Sequence, residues 1–291
     1  MIHSMTGYAT QTLDTAGGRL SLELKSVNSR FLDMHFRFVD ELRGFEQTAR
    51  EKIAARVRRG KVECRFTLTP QTGRANPALQ AEWLASLKSL ETQVREILPE
   101  ARPLRVVDIL HWPGVLGEAN LDVAALVPEF AALMDAALAE FLACRAREGE
   151  KLATVILESV RVMRRLLDGI KPRIPAAQAA LAEKLRQRLG DALKSTDTPV
   201  DEDRILQEVT LFAARIDVAE ELARLATHLA EVERILATGG PVGKRLDFLM
   251  QELNREANTL ASKAAVAEIT STALEMKLQI EQMREQVQNI E

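Results

Sequence analysis

With 291 residues, 46% of them hydrophobic and 28% charged, the chain has room for about two domains and enough apolar content to bury a core, which excludes a disordered protein. No apolar run approaches the ~20 residues of a membrane span, and the start MIHSMTGYATQ has neither the basic nor the apolar region of a secretory leader, so a cytoplasmic protein with no membrane partner is expected. The net charge of −3 conceals a polarity: residues 1–76 hold ten Arg and three Lys against three Asp and five Glu, a net of +5 that leaves −8 elsewhere.

Such a division suits a nucleic acid met by one part and carboxylates on another, although ordinary solvated charge gives the same count. One Tyr and two Trp accompany nine Phe in a chain rich in Ala, Leu, Glu and Arg, a composition that favours long helices over sheets. Cys64 and Cys144 lack CxxC or histidine spacing, so each is read as a reduced, structural residue.

In chain order, Ile2–Thr12 and Arg19–Val27 alternate as an antiparallel hairpin, and Phe31–Val39 adds a third strand. Glu41–Arg58 places Leu42, Phe45, Ala49, Ile53 and Val57 on one helical face and stops at Gly60. Lys61–Thr69 alternates again through Val62, Cys64, Phe66 and Leu68. Thr69–Pro77 reads as a polar link, and a helix follows near Pro77–Leu98. The run DILHWPGVL within Arg105–Gly117 predicts a packed turn at Trp112–Pro113. Helical spacing then fills Asp122 to about Gly169 and about Pro175 to Leu193. Ser195–Pro199 breaks the pattern, Asp201–Thr238 reads as one long helix stopped by Gly239, Gly240 and Pro241, and a last helical region fills Gly243–Glu291.

The fold class predicted is α+β: a small β-rich N-terminal domain with a covering helix over 1–75, a helical middle region over 76–200 and a long-helix domain over 201–291.

Four features bear chemistry. Arg56, Arg58, Arg59 and Lys61 surround a helix end, where cations complement the dipole, and they also suit backbone phosphates. Asn28 and Arg30, in SVNSR, form a second small group of donors. In RIDVAEELARLATHLAEVERIL, Val218, Leu222, Leu225 and Leu229 face inward while Asp217, Glu221, Arg224 and His228 lie opposite. In KRLDFLMQELNREANTLASK an apolar stripe through Leu246, Leu249, Met250, Leu253, Ala257 and Leu260 is flanked by Asp247, Gln251, Asn254 and Asn258 on one side and by Glu252 and Glu256 on the other. Each polar stripe also describes a plain solvated helix face. Asn and Asp, though, are mediocre helix residues, and two asparagines here exceed what packing requires.

The ordered set SMTGYA, SVNSRFLD, RGKVE, DIL, WPGV, RIDVAEEL, GKRLDF and NREANTLASK spans nearly the whole chain and closely resembles the YicC/YloC family of bacterial proteins. That resemblance implies an endoribonuclease that needs a divalent cation, magnesium or manganese, and assembles as a homo-oligomer, a hexamer enclosing RNA. The resemblance assigns no catalytic residues by itself; residue chemistry and charge, read beside it, make His228, Glu252, Glu256, Arg224 and Arg255 the catalytic candidates. RNA contacts then fall to Asn28, Arg30, Arg56, Arg58, Arg59, Lys61, Asn254 and Asn258, and metal ligation to Asp217, Glu220, Glu221 and Asp247. His3 and His111 depart from the family pattern and are given no chemical role.

Two chemistries fit these residues, metal-assisted attack by water and general-base activation of the 2′-hydroxyl by His228. A non-catalytic RNA-binding or adaptor oligomer is the alternative from a different class. The tight turn at Gly239–Gly243 makes its two flanking helices antiparallel neighbours, which sets His228 near Asn254 and brings Glu252 and Glu256 to its end of the pair.

Overall fold

Alternation of apolar residues at every second position forms the sheet. The computed structural model describes residues 1–15, 18–69, 79–115, 123–194, 202–264 and 266–291. Within it β1 (Gly7–Thr15), β2 (Gly18–Val27), β3 (Leu32–Phe38) and β4 (Gly60–Thr69) make one sheet in the order β1-β2-β4-β3. β1 ends only three positions before β2 begins, so the pair is antiparallel, because a parallel pair would need a crossover of about a dozen residues. The two inner strands carry the core: Leu20, Leu22 and Leu24 on β2 and Val62, Cys64 and Phe66 on β4 are all at most 1% exposed. Burial pushes the Cys64 thiol up to about 12, which keeps it protonated and inert.

β3 and β4 run parallel from Leu32 opposite Gly60 to Phe38 opposite Phe66. The crossover between them is a 3-10 turn, Asp40–Phe45, leading into α1 (Glu46–Arg56), so the single helix expected over Glu41–Arg58 starts as a tighter helix. Phe45, Phe66 and Phe130 interlock, with Phe45 stacked on Phe130 at 4.5 Å between ring centres. The next elements are α2 (Ala81–Ile97) and the short α3 (Val106–Leu110). The expected turn at Trp112–Pro113 is present, closed by the Val115 N–H on the Trp112 carbonyl. Gly114 has φ +90°, and a Cβ there would lie 2.9 Å from the Trp83 ring. Trp112 stays 45% exposed and Trp83 50% exposed, so the packed residue of this turn is the fully buried Val115.

The rest is helical: α4 (Val127–Ile170), α5 (Ile174–Lys194), α6 (Glu202–Arg215), α7 (Ala219–Thr238), α8 (Gly243–Lys263) and α9 (Ala267–Val287). The α+β arrangement therefore stands as predicted. One expectation is corrected: the long helix predicted over Asp201–Thr238 is two helices, while the helical region over Gly243–Glu291 consists of α8 and α9. Both breaks lack Gly and Pro, yet both carry a readable signal. From Val209 to Val218 and from Leu260 to Ile269 the apolar phase advances nine residues, or about 180° of helix, so one straight helix would bury opposite faces. The polar link over Thr69–Pro77 and the break over Ser195–Pro199 fall almost wholly on 70–78 and 195–201, outside the described residues.

Two compact units result, one made of Met1–Gly7, Ser26–Phe31 and Leu142–Glu291, the other of Tyr8–Lys25 and Leu32–Phe141. Their boundary falls inside α4, between Phe141 and Leu142, whereas the sequence suggested divisions near 75 and 200. In the first unit α8 packs against both α7 and α9. Leu225, Leu229, Val232, Leu246, Leu253, Leu260, Met276 and Ile280 are fully buried in its core.

A buried ion pair ties the two ends of the chain to this unit. Arg145, 1% exposed, donates from Nε to the Ser4 carbonyl at 2.6 Å and pairs through its terminal nitrogen with the Glu291 carboxylate. Ser4 bridges Ile290, and the Glu291 N–H donates to the His3 carbonyl at 2.9 Å. Burial first, then the Arg145 charge, holds His3 below the usual histidine range. Removing one partner of a buried pair strands the other. Glu291→Ala should therefore lower the unfolding free energy by about 3 kcal/mol in urea denaturation, and the double variant Arg145→Met/Glu291→Ala should recover part of that loss. Equal losses in the two variants would show that Glu291 does not neutralise Arg145.

Candidate active site

The α7–α8 pair is where the polar residues converge. α7 buries Leu222, Leu225, Leu229, Val232 and Ile235 at spacings of three and four, and it stops at Gly239 because the backbone turns to φ +70° there. A Cβ at Gly239 would meet the Met1 nitrogen at 2.5 Å, so only glycine fits. Val242 then caps α8, whose buried stripe is Leu246, Leu249, Met250, Leu253, Ala257 and Leu260. Side chains beside the two stripes face each other across the seam.

There His228, Glu252 and Glu256 come together, with one ligand atom from each lying within 4.8 Å of the others. His228 and Glu252 are half-buried and Glu256 is 4% exposed. Arg224, one turn before His228, donates to Glu256 Oε1 at 3.4 Å and also pairs with Glu220. Glu220 first and Glu256 second hold the Arg224 guanidinium above its usual range, so it remains a fixed cation beside the cluster. Toward the turn, Arg234 and Arg245 share the Glu231 carboxylate at 2.6 Å and 3.2 Å. At the other end, Lys263 donates to Glu221 Oε1 at 2.8 Å and to the Asp217 carbonyl at 3.1 Å. The hydrogen bond to Glu221 raises the lysine further above its usual range. Glu221 is 6% exposed, and its Oε2 is buried without a hydrogen-bond partner. The seam is thus a ladder of alternating charge, with cations on both sides of the His228 cluster.

The four residues expected to bind metal do not gather into one group. Asp217 lies in the break between α6 and α7, where its Oδ1 accepts the Ala219 N–H at 3.1 Å. Its short carboxylate satisfies the exposed start of α7, as an Asx turn does. Glu220 is held by Arg224, Glu221 by Lys263, and Asp247 accepts from Gln251 Nε2 at 3.0 Å on the flank of α8 away from Glu252 and Glu256. Asn254 and Asn258 lie on that same far flank, joined by Asn258 Nδ2 donating to Asn254 Oδ1 at 3.0 Å. Arg255 is exposed on the outer face one turn beyond Glu252.

Among the described residues, then, the group with metal-ligand geometry is His228, Glu252 and Glu256. Donors on an ion bound at ~2.1 Å stand about 3 to 4.2 Å apart, so these three, each within 4.8 Å of the others, would have to draw closer to share one cation. One nitrogen among oxygens suits manganese better than magnesium, which prefers oxygen alone.

The N-terminal residues expected to contact RNA divide between units. Asn28 and Arg30 belong to the first, where Asn28 Nδ2 donates to the Gln288 carbonyl at 2.6 Å and the Arg30 guanidinium lies 5.4 Å from the Phe31 ring centre. Arg56, Arg58, Arg59 and Lys61 belong to the second, at the end of α1 and the start of β4. Lys263 was passed over in the sequence despite lying seven residues, two turns, beyond Glu256 on the same flank. Phe248 was passed over because a phenylalanine in an amphipathic helix is counted as core.

A sheet with a parallel crossover, followed by long helices that bring an imidazole and two carboxylates together, defines the α+β class of this protein. Sequence models described as "Endoribonuclease YicC-like, N-terminal region" and "Endoribonuclease YicC-like, C-terminal" match residues 2–154 and 170–291. A protein of Haemophilus influenzae named "Probable endoribonuclease YicC" is 40% identical over the full length of both chains. A protein of Clostridioides difficile with the same name is 26% identical, again over the full length of both. The chain belongs to the YicC-like endoribonuclease family.

Proposed function

We propose that this protein is a divalent-cation-dependent endoribonuclease whose cleavage site is the His228, Glu252 and Glu256 cluster. The observation that carries the reading is the convergence of those three side chains from two helices, with an arginine already bonded to one of them. The names of the full-length relatives supply the substrate class.

His228, Glu252 and Glu256 would hold the cation, which when bound supplies charge neutralisation at the phosphoryl oxygens and a more acidic water. The two carboxylates and the imidazole would fix its place. In the alternative chemistry, with His228 not held by the cation, its imidazole is placed to exchange a proton with the attacking hydroxyl or the leaving oxygen. Arg224 reaches the cluster from one side, and Arg255 stands exposed a turn beyond Glu252, so either guanidinium can meet charge that develops on phosphate. Glu221 and Glu220 keep Lys263 and Arg224 in place. Two attacking groups remain compatible with this set, and the product ends distinguish them. The 2′-hydroxyl leaves a cyclic phosphate, whereas water need not.

His228→Ala, Glu252→Gln and Glu256→Gln should each slow RNA cleavage by at least about 10²-fold with manganese present, while leaving RNA affinity near that of the parent. Chelating the cation should stop the parent enzyme. Parent rates in all three variants would move the chemistry off this seam. RNA bound but never cut by the parent, at any divalent cation supplied, would favour the adaptor role.

The cations Arg30, Arg56, Arg58, Arg59 and Lys61 are assigned to RNA phosphates, on the strength of the +5 charge of residues 1–76. If two of them each meet a phosphate, Arg59→Ala/Lys61→Ala should weaken binding and reduce the slope of log affinity against log salt by about 1.4 for a single strand. An unchanged slope places the phosphates elsewhere. Self-association is the remaining element, supported by large apolar side chains that one chain leaves in water, including Leu274 and Leu278 a turn apart on α9 at 53% and 65% exposure. Light scattering should give a multiple of the 32.3 kDa chain mass, six in the hexameric case, and a monomer mass at micromolar concentration would end this part of the proposal.

A further inference from the structure

α8 leaves one large aromatic outside its apolar stripe. Phe248 is 59% exposed, while its neighbours Leu246, Leu249, Met250 and Leu253 are each at most 6% exposed. At 100° per residue Phe248 stands about 40° from Glu252 around the helix and one turn, about 6 Å, before it. The ring therefore lies on the water-facing side of the seam, next along α8 from the His228 cluster.

Apart from Glu252 of the cluster, the charged residues flanking it along that face are cations. Lys244 is exposed one turn before Phe248, and Arg255 is exposed about two turns after it. Facing α8 from α7, Arg234 joins Arg245 around a single carboxylate, Glu231, which leaves a surplus of positive charge at this end of the seam. Asp247 lies about 100° away around the helix, on the far flank, where Gln251 bonds it.

An aromatic ring held in water between cations, beside a phosphodiester-cleaving site, has the chemistry of a stacking platform for single-stranded nucleic acid. Every nucleobase offers a π face to the ring, and cations before and after it meet the backbone. We propose that Phe248 stacks a nucleobase of unpaired RNA adjoining the phosphate at the His228, Glu252 and Glu256 cluster, with Lys244 and Arg255 on the flanking phosphates. Paired RNA is a poor occupant, because an A-form duplex keeps its bases stacked on one another and out of reach of a protein ring. The inference deepens the proposed function and rests on it for the place of the cut, but the stacking itself is measured by binding alone.

The test uses full-length protein carrying His228→Ala, which separates binding from cleavage, and a fluorescein-labelled oligoadenylate of roughly 12 nucleotides. Adding Phe248→Ala should weaken binding of that strand about tenfold or more, and Phe248→Leu should do the same, because leucine keeps the apolar bulk and loses the π face. Phe248→Trp should retain affinity, and its indole fluorescence should be quenched by the strand but not by the same strand with abasic ribose throughout. In the otherwise unaltered enzyme, Phe248→Ala should raise KM for single-stranded RNA more than it lowers kcat. Sedimentation should match the parent for every variant.

Unchanged affinity in Phe248→Ala, or full affinity in Phe248→Leu, would overturn the stacking role. Loss of the parent's sedimentation in Phe248→Ala would overturn it too, by assigning the ring to a contact between copies of the chain. Cleavage at the parent rate by His228→Ala, together with base-dependent quenching in Phe248→Trp, would keep the platform and refute the cut site.

Discussion

The antiparallel seam of α7 and α8 is the constraint on which the candidate site depends. Leu225, Leu229 and Val232 on one helix and Leu246, Leu253 and Leu260 on the other are fully buried, and each contributes about 2 kcal/mol by leaving water. That packing fixes the rotation of both helices about their axes. Once the rotation is fixed, the positions flanking the stripes have no choice of partner, and His228 must face Glu252 and Glu256. The turn that sets the register needs glycine at 239 for two reasons, a positive φ and the nearness of the chain's first residue. The Arg145 and Glu291 pair holds that first segment against the same unit.

A carboxylate such as Glu256, at 4% exposure, is costly unless cations or hydrogen bonds compensate it. The ladder along the seam answers that cost locally. Arg224 serves Glu256, Lys263 serves Glu221, and Arg234 with Arg245 serves Glu231. Glu221 keeps one buried oxygen unpartnered, a sign that this end of the ladder is compensated only in part. Glu252 and His228 sit between the two cationic ends. Two carboxylates flanked by cations on both sides form the charge pattern on which the proposed cleavage site rests.

Much of this was legible before the structure. The alternation at Leu20, Leu22 and Leu24 and at Val62, Cys64 and Phe66 marked the inner strands, and the 3.6-residue period marked α4, α7 and α8. Register counting across the Gly239 turn placed Glu252 and Glu256 at the His228 end, and the structure brings those three side chains together. Other positions failed for physical reasons. Asp217 was grouped with Glu221 because a continuous helix would set them one turn apart, yet the half-turn shift in apolar phase breaks the chain there and turns Asp217 into a cap for α7. Asp247 shares a helix with Glu252 but lies on the opposite flank, and period alone does not say which flank meets a partner.

The sequence by itself determined the α+β class, the order of elements and the two polar stripes, because hydrophobic period and turn chemistry are local properties of adjacent residues. Only the tertiary structure decided which stripe residues became neighbours. It buried Arg145 against Glu291, drew Glu220 and Glu221 into ion pairs, and left Phe248 in water. Those outcomes depend on the rotation of one helix against another and on burial by distant segments, and no window of sequence contains either.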